Sequence, residues 1–370
     1  MKYIKLGNTG VEVSQLGFGA MRLPMVNIGG EDYVHFDKAV ETLLAAFERG
    51  VTYVDTAPGY CNRESVLAVG LALRSWKGQR ITVATKASGG FVKGKGDLRK
   101  TLERQLSILG RDYLDFYLYH GIGWDKFNKM EEESGWIAEM QQAKAEGLVK
   151  HVGFSFHDEP DNMIKLVDTG LFELVQCQYN YLDRRNEAAI AHAASKGLAT
   201  IIMGPVGGGR LSVIPKNMRE HGTLSQNRAA ELALRFVISN PHVNVALSGM
   251  GDLSMVEENV AAIDKGPLNA DEIATLNALL EENKKLSNLY CTGCGYCMPC
   301  PHGVNIPRNF ELYNYDKVYG FEDYAKRGYA GLVGKQADAS KCVACGTCEP
   351  LCPQHIPIID QLQEVGELFG

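Results

Sequence analysis

One rhythm constrains this chain more than any other feature. Eight short apolar runs recur between residues 16 and 248, and a stretch of helical periodicity follows each. The runs are Leu16–Ala20, Tyr53–Thr56, Ile81–Thr85, Phe116–Tyr119, His151–Ser155, Leu174–Gln178, Ala199–Met203 and Val245–Ser248. Between them lie Phe36–Arg49, Glu64–Arg74, Asp97–Leu109, Ser134–Glu146, Asp161–Thr169, Glu187–Lys196 and Asn227–Ser239, with Met255–Ala262 and Ala270–Leu286 after the last. Gly50 follows the first helical stretch as a stop. Strands that alternate with helices build a parallel sheet, because the helices cover its faces. Eight such units close on themselves, so the expected fold is α/β, a (β/α)8 TIM barrel. A hairpin precedes it, with residues 2–5 and 11–14 flanking Leu6-Gly7-Asn8-Thr9-Gly10.

After the last helical stretch the rhythm stops and cysteine takes over. Eight of the ten cysteines fall in two runs, Cys291, Cys294, Cys297, Cys300 and Cys342, Cys345, Cys348, Cys352. The second has the C-x2-C-x2-C-x3-C-P spacing that holds [4Fe–4S] clusters, and the first is one residue shorter before its last cysteine. Gly293, Gly295, Ala344 and Gly346 are small enough to bring backbone N–H groups near the sulfurs. Zinc favours paired C-x2-C hooks, and disulfides belong to secreted chains, so the spacing points to iron–sulfur. The runs resemble those of two-cluster ferredoxins, where the fourth cysteine of each run serves the other cluster. That resemblance implies two [4Fe–4S] clusters: Cys291, Cys294, Cys297 and Cys352 on one, Cys342, Cys345, Cys348 and Cys300 on the other. The intervening stretch reads as helix from Asn309 to Tyr324, which is similar to an α-helical ferredoxin. The expected domains are therefore 1–287, the barrel with its hairpin, and 288–370, a small helical iron–sulfur domain.

The net charge of −6 is mixed along the chain, which argues against nucleic acid and membrane surfaces as partners. The N-terminal stretch has no apolar signal core, and no apolar stretch is long enough to span a bilayer. A reducing, cytoplasmic setting is expected, with Cys61 and Cys177 as free thiols.

A TIM barrel does its chemistry at the C-terminal ends of its strands. There this sequence places Asp55, Tyr60 just beyond it, Lys86 and His120. Reducing a carbonyl needs a hydride on carbon and a proton on oxygen. A tyrosine is a weak acid, with an ordinary pKa of about 10, and a neighbouring ammonium lowers that value. Lys86, held by Asp55, is expected to do this for Tyr60, while His120 orients the carbonyl or relays the proton. Tyr60 is then the acid in reduction and the base in oxidation.

Leu16-Gly-Phe-Gly-Ala-Met, Val54-Asp-Thr-Ala-Pro-Gly-Tyr60, Lys86, the Asp115–His120 strand and Gly153-Phe-Ser155 resemble the aldo/keto reductase superfamily. With the cysteine domain added, the chain resembles its iron–sulfur-containing branch over almost all of the 370 residues. The resemblance implies an enzyme that interconverts an aldehyde or ketone and an alcohol, with Asp55, Tyr60, Lys86 and His120 as its catalytic tetrad. It implies NADP(H), with NAD(H) as the alternative, lying across the barrel mouth. Asp55, Gly19, Ala20 and Met21 would lie by the nicotinamide ribose, and Ser155 and Gln176 by the carboxamide. Met203 would flank the ring, and the loop Gly204, Pro205, Gly207, Gly208, Gly209 and Leu211 would wrap the pyrophosphate. Ser248, Gly249, Met250, Glu258 and Asn259 would hold the adenosine half. Three positions depart from the family pattern. Phe156 stands where Asn is frequent, Met203 where an aromatic stacks, and Met255 where NADP-specific members carry an Arg for the 2′-phosphate. Arg210 and Lys216 are candidate substitutes for that charge.

Arg22 is either a site for an anionic substrate group or a loop ion pair, and Trp124 and Phe127 either wall the pocket or pack. The expected partners are a small carbonyl or alcohol substrate and, through the clusters, a candidate redox protein. The competing reading is an electron-transfer iron–sulfur protein in which the barrel is only a docking scaffold.

Overall fold

The computed structural model describes residues 1–87, 89–207, 211, 229–286, 291, 297–317, 320–352 and 356–370. These form two compact units. The first holds the described residues up to 207 and residues 230–268; the second holds Leu211, Ala229 and the described residues after 268.

In the first unit, β1 (Tyr3–Lys5) and β2 (Glu12–Ser14) pair as an antiparallel hairpin. The barrel strands are β3 (Leu16–Gly19), β6 (Tyr53–Asp55), β7 (Thr82–Ala87), β8 (Leu114–Ile122), β9 (Val149–Phe156), β10 (Leu174–Gln178), β11 (Ala199–Met203) and β12 (Val245–Ser248). They pair in parallel and in sequence order, and β12 closes on β3 with Ala246 opposite Leu16. The expected eight-stranded barrel is the fold observed. Its helices are α1 (Phe36–Glu48), α2 (Ser65–Ser75), α3 (Asp97–Leu109), α4 (Trp124–Ser134), α5 (Trp136–Ala145), α6 (Pro160–Asp168), α7 (Glu187–Ser195), α8 (Ala229–Ser239) and α9 (Leu253–Asp264).

The barrel interior explains which end is open. Tyr53, Ala84, Phe116, Leu118, Leu174, Ile201, Val245 and Leu247 fill it, and Leu6 and Val13 of the N-terminal hairpin join the same cluster. Each Val, Leu, Ile or Phe among them contributes roughly 1.5–3 kcal/mol when fully buried. The hairpin thus stoppers the N-terminal end of the barrel. Polar residues instead gather at the other end: Asp55, Lys86, Ser155, Gln176 and Ser248 are all buried there.

Two elements lie outside the sequence expectations. A second hairpin, β4 (Met25–Ile28) with β5 (Glu31–Val34), stands between β3 and α1. Helix α4 follows β8 directly and places Phe127 in the core, 4% exposed, against the rings of Tyr119 and Phe172. Phe127 is therefore a packing residue and not a pocket wall.

The second unit contains α10 (Ala270–Leu286), α11 (Ile306–Lys317), α12 (Glu322–Gly334) and α13 (Ile358–Phe369). The single helix expected from Asn309 to Tyr324 is instead two helices. Gly320, at φ 66°, sits in the left-handed region that ends helices, so the chain turns between them. Phe310, Leu312, Leu332, Leu362 and Val365 are buried in this unit. Among the described residues no helix is long and apolar enough to cross a membrane.

Candidate active site

Asp55 ends β6 and Lys86 lies near the end of β7, on the neighbouring strand. Lys86 Nζ donates to Asp55 Oδ1 at 2.5 Å and to the Thr56 carbonyl at 3.1 Å, and its side chain is 1% exposed. Burial works against its proton. The charge of Asp55, with hydrogen bonding to Asp55 and Tyr60, outweighs that and holds the ammonium above its ordinary value. Burial also lifts the Asp55 carboxyl, against the pull of Lys86 and of the nearby Gln176 amide. Beneath the pair, Gln105 donates to the Lys86 carbonyl at 3.2 Å and accepts from Thr85 Oγ1 at 2.5 Å. This fixes the backbone that carries the lysine.

Tyr60 stands over Lys86, with Nζ 5.0 Å from its ring centroid. The His120 ring meets it edge-on, centroids 5.7 Å apart. The four residues are thus brought together at one end of the barrel. One expectation needs correcting. Lys86 does pull the Tyr60 phenol down, but burial prevails and leaves it above its ordinary value of 10. His120 is pushed down to about 3, first by burial and then by Lys86, His157 and Lys126. Its Nδ1 is buried with no hydrogen-bond partner. A neutral imidazole beside a protonated phenol can orient a carbonyl oxygen and donate a proton to it.

The other predicted residues line the same strand ends. Ser155 Oγ accepts the Gly121 N–H at 2.8 Å, which leaves its own proton free to donate. Gln176 Oε1 and Asp55 Oδ2 are buried without hydrogen-bond partners. Unmet buried acceptors carry a cost, and a carboxamide N–H or a ribose hydroxyl has the donor chemistry to meet them. The residues present therefore fit a nicotinamide nucleoside. At Gly19, an added Cβ would lie 3.5 Å from the Ser248 carbonyl. Ala20 is buried, its N–H on the Asp55 carbonyl at 2.8 Å, while Met21 is exposed.

Past β11, Met203 is half-buried and Gly204 turns the chain at φ 64°. A side chain at Gly204 would collide with the Gln178 side-chain oxygen. Pro205 is buried, and the Gly207 N–H donates back to the Gly204 carbonyl at 2.9 Å. Gly208, Gly209, Arg210 and Lys216 lie outside the described residues; Leu211 is buried and belongs to the second unit. At β12, Ser248 Oγ accepts from Asn259 Nδ2 at 2.9 Å, both residues buried. Met250 is fully buried and Glu258 is exposed. Gly249 is overlain by the Arg22 side chain, whose Cβ would be 3.1 Å from an added Cβ. Met255 is exposed, with its N–H on Asp252 Oδ1 at 2.8 Å and its sulfur accepting from Gly251 N at 3.4 Å.

Sequence reasoning missed Asn180. It is buried, donates to the Gly204 carbonyl at 3.1 Å, and accepts the N–H groups of Leu182 and Asp183 at 2.9 Å each. An Asn just past a strand, followed by Asp183, is the sequence mark of such a side-chain turn.

In the second unit, burial raises the Cys348 thiol, against a backbone hydrogen bond that lowers it, and Glu349, Cys342 and, from the first run, Cys300 add smaller upward contributions. Cys345 is exposed and its thiol is lowered by the Thr347 hydroxyl, 3.4 Å away. Between these cysteines Ala344 and Gly346 are both left-handed, at φ 54° and 76°, so the loop curls. Among the described residues no three His, Cys, Asp or Glu converge as a single-ion site. A four-iron cluster takes one thiolate at each iron and so needs them spread. Cys300, Cys342 and Cys348 carry free thiols of the kind such a cluster takes. Cys291 and Cys297 are half-buried and Cys352 is buried; Cys294 lies outside the described residues.

Known proteins resemble the chain in both parts. Residues 15–281 match the family model described as the aldo/keto reductase family, and residues 290–356 match a 4Fe-4S dicluster domain. L-galactose dehydrogenase of Arabidopsis thaliana is 28% identical over 309 residues, covering 76% of this chain and 95% of its own. The NADH-specific methylglyoxal reductase of Escherichia coli is 25% identical, covering 73% and 96%. Among solved structures, the holo form of a Bacillus halodurans aldo-keto reductase is 26% identical, with a TM-score of 0.64 over 75% of this chain and 96% of that one. A Klebsiella pneumoniae aldo/keto reductase solved with NADP and acetate shares the fold at 24% identity and a TM-score of 0.61, covering 75% and 95%.

Proposed function

The chain belongs to the aldo/keto reductase family and carries a 4Fe-4S dicluster domain, and from that premise we propose that it interconverts an aldehyde or ketone and an alcohol, with Tyr60 as the proton donor and acceptor. The observation that carries this reading is the buried Lys86–Asp55 pair at 2.5 Å beneath a tyrosine that also abuts a neutral His120. A bound nicotinamide supplies the hydride. NADP(H) is the proposed cofactor, with NAD(H) as its competitor because Met255 brings no cation to a 2′-phosphate. Gln176 Oε1 and the Ser155 hydroxyl are proposed to hold the carboxamide, and Asp55 Oδ2 a ribose hydroxyl.

Tyr60 approaches neutral pH fully protonated, which suits it to donate when a carbonyl oxygen gains charge. The Lys86 ammonium below it stabilises the phenolate left behind, and Asp55 keeps that ammonium charged. His120, neutral and facing the tyrosine, donates a hydrogen bond to the same oxygen and sets the face of the carbonyl. In oxidation the phenolate takes the alcohol's proton back. In the second unit the eight run cysteines are proposed to hold two [4Fe–4S] clusters in the crossed pattern, and such clusters carry single electrons. A redox protein is the partner this implies.

Tyr60→Phe tests the proton role while keeping the ring. NADPH oxidation with a panel of aldehydes is expected to slow by a factor on the order of 10²–10⁴, with NADPH binding, read by fluorescence, unchanged. Undiminished turnover in the variant would remove Tyr60 from the role.

A further inference from the structure

The turn that follows Tyr60 is held by an element the mechanism leaves unused. Cys61, Asn62 and Arg63 stand in succession at φ 49°, 52° and 74°. None is a glycine, and the left-handed region crowds any residue with a Cβ; of the three, only asparagine enters it readily. Such a turn keeps its shape when its surroundings over-determine it.

The surroundings do so from two sides. On the barrel side, Cys61 Sγ donates to the Met21 carbonyl at 3.3 Å and Ser65 Oγ to the Ala20 carbonyl at 2.6 Å. The Tyr60 carbonyl itself accepts the N–H groups of Arg63 at 2.9 Å and Ser65 at 3.3 Å. On the outer side stands the β4–β5 hairpin. Asn62 Nδ2 donates to the Asp32 carbonyl, and Glu64 Oε2 accepts the Val34 N–H at 2.7 Å. The hairpin is in turn stiffened across its tip, where Asn27 Nδ2 donates to Asp32 Oδ1 at 2.8 Å and Asn27 Oδ1 accepts the Gly30 N–H at 3.2 Å.

We propose that the β4–β5 hairpin is a brace for Tyr60, and that Asn62 and Glu64 are the positioning residues through which it acts. The inference rests on the reading of Tyr60 as the proton donor. A donor must meet its acceptor within hydrogen-bond reach, and a shift of about 1 Å can cost up to about a hundredfold in rate. With a tether cut, the turn is no longer pinned to the hairpin, samples other backbone conformations and carries Tyr60 off Lys86 and His120. The proposed carboxamide contacts, Ser155 and Gln176, sit on β9 and β10 away from this turn, so the loss falls on kcat far more than on cofactor binding.

Four variants of the full chain separate the possibilities: Tyr60→Phe, Glu64→Ala, Glu64→Gln and Asn62→Gly. Glycine accepts the left-handed turn without crowding, so Asn62→Gly removes one tether without burdening the fold and can be read even if Glu64→Ala does not fold. With NADPH and an aldehyde, Asn62→Gly and Glu64→Ala are expected to lower kcat about tenfold or more, with NADPH affinity by fluorescence unchanged. Glu64→Gln keeps an oxygen for the Val34 N–H and is expected to hold kcat within about twofold of the parent. If Tyr60→Phe is inactive while Asn62→Gly and Glu64→Ala turn over like the parent, the brace is refuted and the tyrosine reading stands. If Glu64→Gln is as slow as Glu64→Ala, the tether explanation for Glu64 also fails. If Tyr60→Phe is fully active, the underlying reading falls first.

Discussion

Replacing Lys86 with methionine leaves Asp55 buried, 2% exposed, with no counter-charge. An ionised carboxylate there is so unfavourable that the group takes up a proton on folding. At pH 7, about 3 units above the carboxyl's ordinary value of 3.8, that protonation costs about 4 kcal/mol. The figure agrees with the roughly 3–5 kcal/mol seen when one partner of a buried ion pair is removed. Its sign with pH follows. The variant's folded carboxyl has the raised pKa, so its folded state binds a proton that the unfolded chain releases. The variant's stability is full below about pH 4 and falls as pH rises, by about 1.4 kcal/mol per unit until the folded pKa is passed. The variant's proton cost therefore grows from under about 2 kcal/mol at pH 5 to about 4 kcal/mol at pH 7, and the gap to the parent widens by the part of that growth that the parent's own raised Asp55 carboxyl does not share. Urea unfolding followed by tryptophan fluorescence is a clean assay, because Trp76, Trp124 and Trp136, the chain's three tryptophans, all lie in the barrel unit. A deficit of the same size at pH 5 and pH 7 would refute the reasoning.

Two more outcomes are open to measurement. With His120 pushed down to about 3 and Tyr60 raised above 10, kcat/KM for reduction should show no limb near pH 6.5 and decline only as the phenol ionises; a limb between pH 6 and 7 that disappears in His120→Gln would contradict this. In the iron-loaded protein, Cys300→Ser should erase the same cluster signal in electron paramagnetic resonance as Cys348→Ser, with a loss of about four irons per chain; a match to Cys297→Ser instead would rule out the crossed pattern.

The barrel was legible because each strand is a compact apolar run and its neighbours carry helical periodicity. The four site residues were legible because strand ends and their first loop positions are where this fold points its chemistry. Other features left no such mark. The β4–β5 hairpin is largely exposed, so its strands show no buried alternation. Helix α4 carries the polar stretch Glu131–Ser134 and buries only Phe127, Met130 and Ser134, so it reads as loop. The turn after Tyr60 is left-handed at three residues that do not announce it. The direction of the Tyr60 shift depends on burial, and a sequence names a neighbouring charge more easily than it measures the water that is excluded.

The seam of the barrel lies between its earliest strand and its latest, where Leu16 faces Ala246 and Phe18 faces Ser248. A ribosome releases these partners far apart in time. Until the last one emerges, the growing chain holds an open sheet whose two free edges are templates for unwanted pairing. Closure across so long a stretch is slow by topology. Such a nascent chain would gain from a chaperone that shields those edges, and the cysteine runs are translated only after the seam can close.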